Sequence, residues 1–95
     1  MLASRSHRAW VCWPCQESGK RDPVRTRGSM VPLFELTESA FQVGLRRPPA
    51  RGDYLTLEVL LAPRRFTRGW IGRVIAFRPG ADGLWYTDCE IIRHR

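Results

Sequence analysis

From Tyr54 to Leu61 the apolar residues fall on alternate positions. Leu55, Leu57, Val59 and Leu61 share one parity, and Tyr54, Thr56, Glu58 and Leu60 share the other. In an extended chain successive side chains point to opposite faces, so the first set can be buried together while most of the second meets solvent. A helix, with its period of 3.6, would scatter the same four residues around its circumference. Ala62-Pro63-Arg64-Arg65 ends the run.

Shorter runs of the same kind recur. Leu33-Phe34-Glu35-Leu36 is rich in β-formers, and Phe41, Val43 and Leu45 alternate with Gln42 and Gly44. Residues 70–77 place Trp70, Gly72, Val74 and Ala76 on one face and Ile71, Arg73, Ile75 and Phe77 on the other. Residues 84–92 place Trp85, Thr87, Cys89 and Ile91 together, while Thr87 and Asp88 themselves read as strand surface. The runs are separated by turn chemistry: Pro48-Pro49 within residues 46–53, and Pro79-Gly80-Ala81-Asp82-Gly83. Adjacent prolines lack backbone donors and exclude a central strand. No long helical stripe is present. The expected fold is mainly β, a small antiparallel, strongly curved sheet or barrel, with room for one short helix near residues 37–42.

The composition shifts near Met30. Upstream, Pro14, Gly19, Pro23 and Gly28 interrupt regular structure, and little besides Ala9-Trp10-Val11-Cys12-Trp13 offers apolar surface. Arg5, Arg8, Lys20, Arg21, Arg25 and Arg27 face only Glu17 and Asp22 there. Residues 1–29 therefore read as a basic N-terminal extension, and residues 30–95 as the compact β-rich domain.

The 95-residue chain carries a formal charge of +7, and Lys20 is its one lysine among 16 basic residues. Arginine presents a planar fork of donors that fits phosphate and stacks on flat rings. Arg46, Arg47, Arg51, Arg64, Arg65, Arg68 and Arg73 fall between residues 46 and 73 against Asp53 and Glu58 alone. Two basic loops, 46–51 and 64–68, flank the Tyr54 strand at opposite ends, as two patches or one tilted stripe. Phe66 and Trp70 are candidate base-stacking rings, with plugging of the barrel ends as the competing role, the favoured one for Trp70. Arg73 is expected to pair with Glu58 or Glu90. Gly52 and Asp53 are expected to build the turn that leads into the Tyr54 strand, glycine for its backbone freedom and aspartate as an acceptor.

Enzymatic signatures are missing. There is no glycine-rich phosphate loop, His-Glu-x-x-His pair or Ser/His/Asp arrangement, and Glu35 with Glu38 is a bare carboxylate pair. Cys12-Trp13-Pro14-Cys15 has chelating spacing, but zinc needs four ligands, and Cys89 with His7 or His94 matches no finger pattern. No metal or cofactor is expected, and a non-enzymatic protein is the favoured reading. Three cysteines, no apolar signal core after Met1, and no apolar run near the roughly 18 residues of a membrane helix point to a reducing, cytoplasmic setting without membrane contact.

The strings Phe34-Glu35-Leu36, Phe41-Gln42-Val43-Gly44, Gly52-Asp53-Tyr54-Leu55-Thr56-Leu57-Glu58 and Phe66-Thr67-Arg68-Gly69-Trp70-Ile71-Gly72-Arg73-Val74 resemble the pattern of ASCH and PUA-like domains over residues 34–77. The Val-Gly and Gly-Asp features form one turn in that pattern, but residues 45–51 part them here. The resemblance implies a PUA-like β-barrel and an association with RNA, and it carries no complete catalytic set. Residues and resemblance together suggest non-catalytic binding of RNA or single-stranded nucleic acid. The site would comprise Arg46, Arg47, Arg51, Arg64, Arg65, Phe66, Arg68 and Arg73. The alternative is a phage- or plasmid-type accessory protein that contacts another protein through a sheet edge.

Overall fold

Six strands carry the chain in the computed structural model: β1 (Arg8–Cys15), β2 (Arg27–Leu36), β3 (Ala40–Leu45), β4 (Tyr54–Leu61), β5 (Phe66–Pro79) and β6 (Trp85–His94). The described residues are 7–61 and 66–94, and side chains are described outside 60–61 and 66–68. Every ladder is antiparallel, and the sheet closes into a barrel in the order β1-β2-β3-β6-β5-β4. No helix occurs among the described residues. The helical variant near 37–42 is corrected: Thr37 N–H donates to Ala40 O at 2.8 Å and Thr37 Oγ1 accepts from Ala40 N, which makes a tight turn into β3.

The topology is two three-stranded meanders joined by residues 46–53. That connection leaves β3 and reaches β4 across one end of the barrel, since β3 pairs with β6 and β4 with β1. Antiparallel pairing all round means that β1, β3 and β5 run the same way. The connections 16–26, 46–53 and 80–84 therefore gather at one end, here called the mouth.

Parity decides the core as expected. Leu55, Leu57 and Val59 of β4, Phe41, Val43 and Leu45 of β3, Trp70 and Val74 of β5, and Cys89 of β6 point inward and are buried. Trp70 thus takes the core role. A small barrel interior must mix large and small residues to fill its taper. Gly72 supplies the space for Phe41: a Cβ at Gly72 would stand 2.5 Å from Phe41 Cζ. Thr87 is fully buried, against the surface position expected for it, and its hydroxyl donates to Trp85 O at 3.0 Å.

The chain before Met30 is not a detached arm. Arg8–Cys15 is β1, paired with β2 on one side and β4 on the other, and Ala9 and Val11 sit in the core. The boundary drawn at residues 29/30 falls inside β2. Without β1 the barrel could not close, and β2 and β4 would expose free edges.

A second buried layer lies outside the barrel. Cys12, Thr56 and Ile71 are cross-strand neighbours on the outer face of β1, β4 and β5, and all three are buried. The turn at residues 16–20 covers them: a Cβ at Gly19 would meet Ile71 Cδ1 at 2.8 Å and Thr56 Cγ2 at 3.5 Å. Gly19 also has φ +87°, a conformation that other residues adopt only with strain.

Candidate functional site

Residues 46–53 form a strap at the mouth, and its tail is held at three points. Gly52 N–H donates to Val74 O and Val74 N–H donates to Asp53 O, each at 2.8 Å, which fastens it to β5. Asp53 Oδ2 accepts from Ala50 N and from Trp13 Nε1, each at 3.0 Å, which closes the turn and ties it to β1. Gly52 has φ +91°. The roles expected of this glycine and aspartate are thus met, with the link to Trp13 added by the fold.

Trp13 is half-buried against the core, and the Arg47 guanidinium lies over its ring at 5.0 Å from the centroid. Beside it the barrel wall parts. The β2–β3 ladder runs only as far as Leu33↔Val43. Leu33 N–H points to His7 O on the β1 side. Alternation along a strand then turns the Pro32 nitrogen toward β3, where it has no hydrogen to give. Beyond that proline β2 and β3 diverge toward the mouth.

A cleft of about 360 Å³ opens in the gap. Trp13 and Leu45 line it with Ser29, and Arg25, Arg27, Arg46 and Arg47 surround it. No carboxylate is among these lining residues. A second hollow, lined by Trp13, Pro14, Arg25, Arg47 and the strap, adjoins it. Asp53 lines that hollow, already engaged by Trp13 and Ala50.

The β1–β2 connection holds its arginines with its own hydrogen bonds. Asp22 Oδ1 accepts from Val24 N at 2.8 Å and Arg25 N at 3.1 Å, and these bonds lower its carboxyl below the usual range, Val24 contributing most. Thr26 N–H donates to Asp22 O at 2.9 Å, and Thr26 Oγ1 donates to Pro14 O. Arg27 Nη1 donates to Val24 O and Thr26 O, which orients its guanidinium. Four arginines around a half-enclosed cleft with no carboxylate in its lining make it electropositive, with Asp22 close enough to Arg25 to offset part of that charge. The arrangement fits a phosphate-bearing ligand.

The structure sorts the sequence candidates. Arg46 and Arg47 line the cleft. Arg51 and Arg73 lie apart, on a shallow surface with Gly52 and Ile75. Arg73 is paired with Glu90, its cross-strand neighbour, and this bond raises the guanidinium above its ordinary value. Arg64 and Arg65 lie outside the described residues. Phe66 and Arg68 belong to β5 opposite Leu61 and Val59, at the end of β4 away from the mouth, and their side chains lie outside the described set. Arg25 and Arg27 were missed as site residues because their segment read as an extension. The local signal was present in two arginines beside a proline turn, but nothing local placed them next to Arg46.

Cys12 and Cys15 are neighbours, but Cys89 does not converge with them. Cys12 faces outward on β1, whereas Cys89 faces the core from β6, and those strands are not neighbours. Among the described residues no group of three or more His, Cys, Asp or Glu side chains could hold a metal ion. Burial, then the neighbouring Cys12, pushes the Cys15 thiol up, and burial pushes Cys89 far above its ordinary value. No helix of the described residues is long and apolar enough to cross a membrane.

Comparison with protein-family models, curated proteins and solved structures gave no match.

Proposed function

We propose that the protein binds nucleic acid, as RNA or a single strand, and performs no chemistry on it. The observation that carries this reading is the meeting of Arg25, Arg27, Arg46 and Arg47 around one cleft beside Trp13. Arginine forks bind phosphate oxygens in pairs, and a half-enclosed cleft gives each contact a lower dielectric than open solvent. The three free thiols suit the reducing, cytoplasmic setting that goes with this reading. A protein contact through a sheet edge has less to use, because the barrel is closed and the β2 segment beside the cleft, unpaired with β3, is still paired with β1.

The test is a titration of labelled single-stranded RNA and DNA over a salt series. Four phosphates neutralised on a single strand give a log–log salt slope of about −2.8, so affinity falls roughly 50-fold between 50 and 200 mM salt. The double variant Arg46→Gln/Arg47→Gln halves the slope to about −1.4. Absent or salt-independent binding by the wild-type protein at low salt overturns the proposal.

A further inference from the structure

Trp10 lies on the outer face of β1, across from Met30 of β2, and both are exposed, at 39% and 49%. Its indole leans two pairs along the ladder and rests on Gly28: a Cβ there would stand 2.4 Å from Trp10 Cζ2 and 2.9 Å from Cε2. Cys12 is the ladder partner of Gly28, so the lean is toward the mouth. Gly28 lies between Arg27 and Ser29, both of which line the arginine cleft. The ring and the cleft are therefore on two sides of the same short piece of β2, the piece that has no β3 partner. A strand spacing is about 4.8 Å, so a ligand crossing β2 from ring to cleft has little distance to cover.

On the opposite side of Trp10, β4 places Glu58 across the ladder. The patch joins a large exposed ring to the arginines of the neighbouring cleft.

We infer that Trp10 is a base-stacking platform and that the ligand of the cleft is a single strand with unpaired bases. This rests on the phosphate-binding reading of the cleft and narrows it. The phosphates occupy the arginine cleft, the chain crosses β2 at Gly28, and one base lies on the indole with Met30 beside it. A duplex keeps its bases stacked inside and offers no free face for such a ring. Gly28 is part of the device, because any side chain there displaces the indole from its seat.

The experiment compares three probes at fixed low salt: a single-stranded oligonucleotide, the same sequence as a duplex, and inorganic polyphosphate, which has charge without bases. The proteins are the wild type, Trp10→Leu, which keeps an apolar side chain, and Gly28→Ala, which moves the ring. A thermal melt of each shows that it is folded. Both variants are expected to lose about tenfold in affinity for the single strand, the scale of one stacked base, with polyphosphate binding and the salt slope unchanged. Wild type should favour the single strand over the duplex. Equal single-strand affinity in folded Trp10→Leu and wild type overturns the inference and leaves the cleft reading standing. A parallel loss for polyphosphate also overturns it, since Trp10 would then act only by shaping the cleft. If wild type binds neither oligonucleotide nor polyphosphate, the cleft reading itself fails. Trp10-dependent binding of an acidic polypeptide with none of the oligonucleotide assigns the patch to a protein and overturns both.

Discussion

Replacing Asp53 by alanine removes the side-chain hydrogen bond that ties the strap to β1 and leaves the packing of Arg47 on the Trp13 ring. Asp53 Oδ2 accepts two hydrogen bonds of 3.0 Å, from Trp13 Nε1 and Ala50 N. Bonds to a charged acceptor contribute about 1.5–3 kcal/mol each when the partner is left without a substitute. Here water can reach exposed Ala50, so most of the cost falls on half-buried Trp13. The sum is about 2–3 kcal/mol. For a domain near this size each kcal/mol shifts the melting midpoint by about 4–8 °C, so Asp53→Ala should melt about 8–24 °C below wild type. The backbone bonds of Gly52 and Val74 remain, so the strap stays on β5 and the fold survives. Asp53→Asn separates geometry from charge. Its amide oxygen can accept the same two bonds at about half the strength, for a loss of about 1 kcal/mol. It also removes a negative charge next to Arg47, which should tighten polyanion binding. The assay is a calorimetric melt with an oligonucleotide titration on each variant. If Asp53→Ala melts within about 2 °C of wild type, the strap is not held as described. If Asn is as damaging as Ala, charge rather than acceptor geometry holds it.

Other outcomes follow from the packing and the thiols. Gly72→Val drives a side chain into Phe41 Cζ and Cε2 and the Cβ of Cys89, and overpacking of about 1–3 kcal/mol should appear in a melt, with part of it recovered on adding Phe41→Leu. Because the folded barrel keeps Cys89 protonated, stability is complete below the ordinary thiol range and falls once pH exceeds about 8.5, by up to about 1.4 kcal/mol per pH unit. Melts between pH 7 and 10 check this, and Cys89→Ala should flatten the alkaline decline while lowering stability at every pH. Arg73→Ala breaks an ion pair whose side chains are 46% and 37% exposed, so it should leave the melting midpoint nearly unchanged and oligonucleotide affinity within about twofold. A larger loss of affinity would bring Arg73 into the binding surface.

The sequence by itself determined the strands after Met30 and their inward faces. Period-two patterning is a local property, and Leu55, Leu57, Val59, Trp70, Val74 and Cys89 are buried as their parity requires. Gly52 and Asp53 were legible for the same reason, since turn chemistry acts within a few residues. β1 was hidden because Ala9, Trp10, Val11, Cys12 and Trp13 are all apolar and show no alternation. Its outer face is also apolar: Cys12 lies beneath the Gly19 turn layer, and Trp10 stands on the exposed surface. Thr87 was misread because a hydroxyl satisfied by its own strand can be buried, and no pattern announces that partner. The site was legible by half. Arg46 and Arg47 stood out as charge, but their companions depend on which connections share an end of the barrel. Strand order and the crossing strap decide that, and they bring residues 25 and 27 beside 46 and 47 through contacts that no local stretch of sequence encodes.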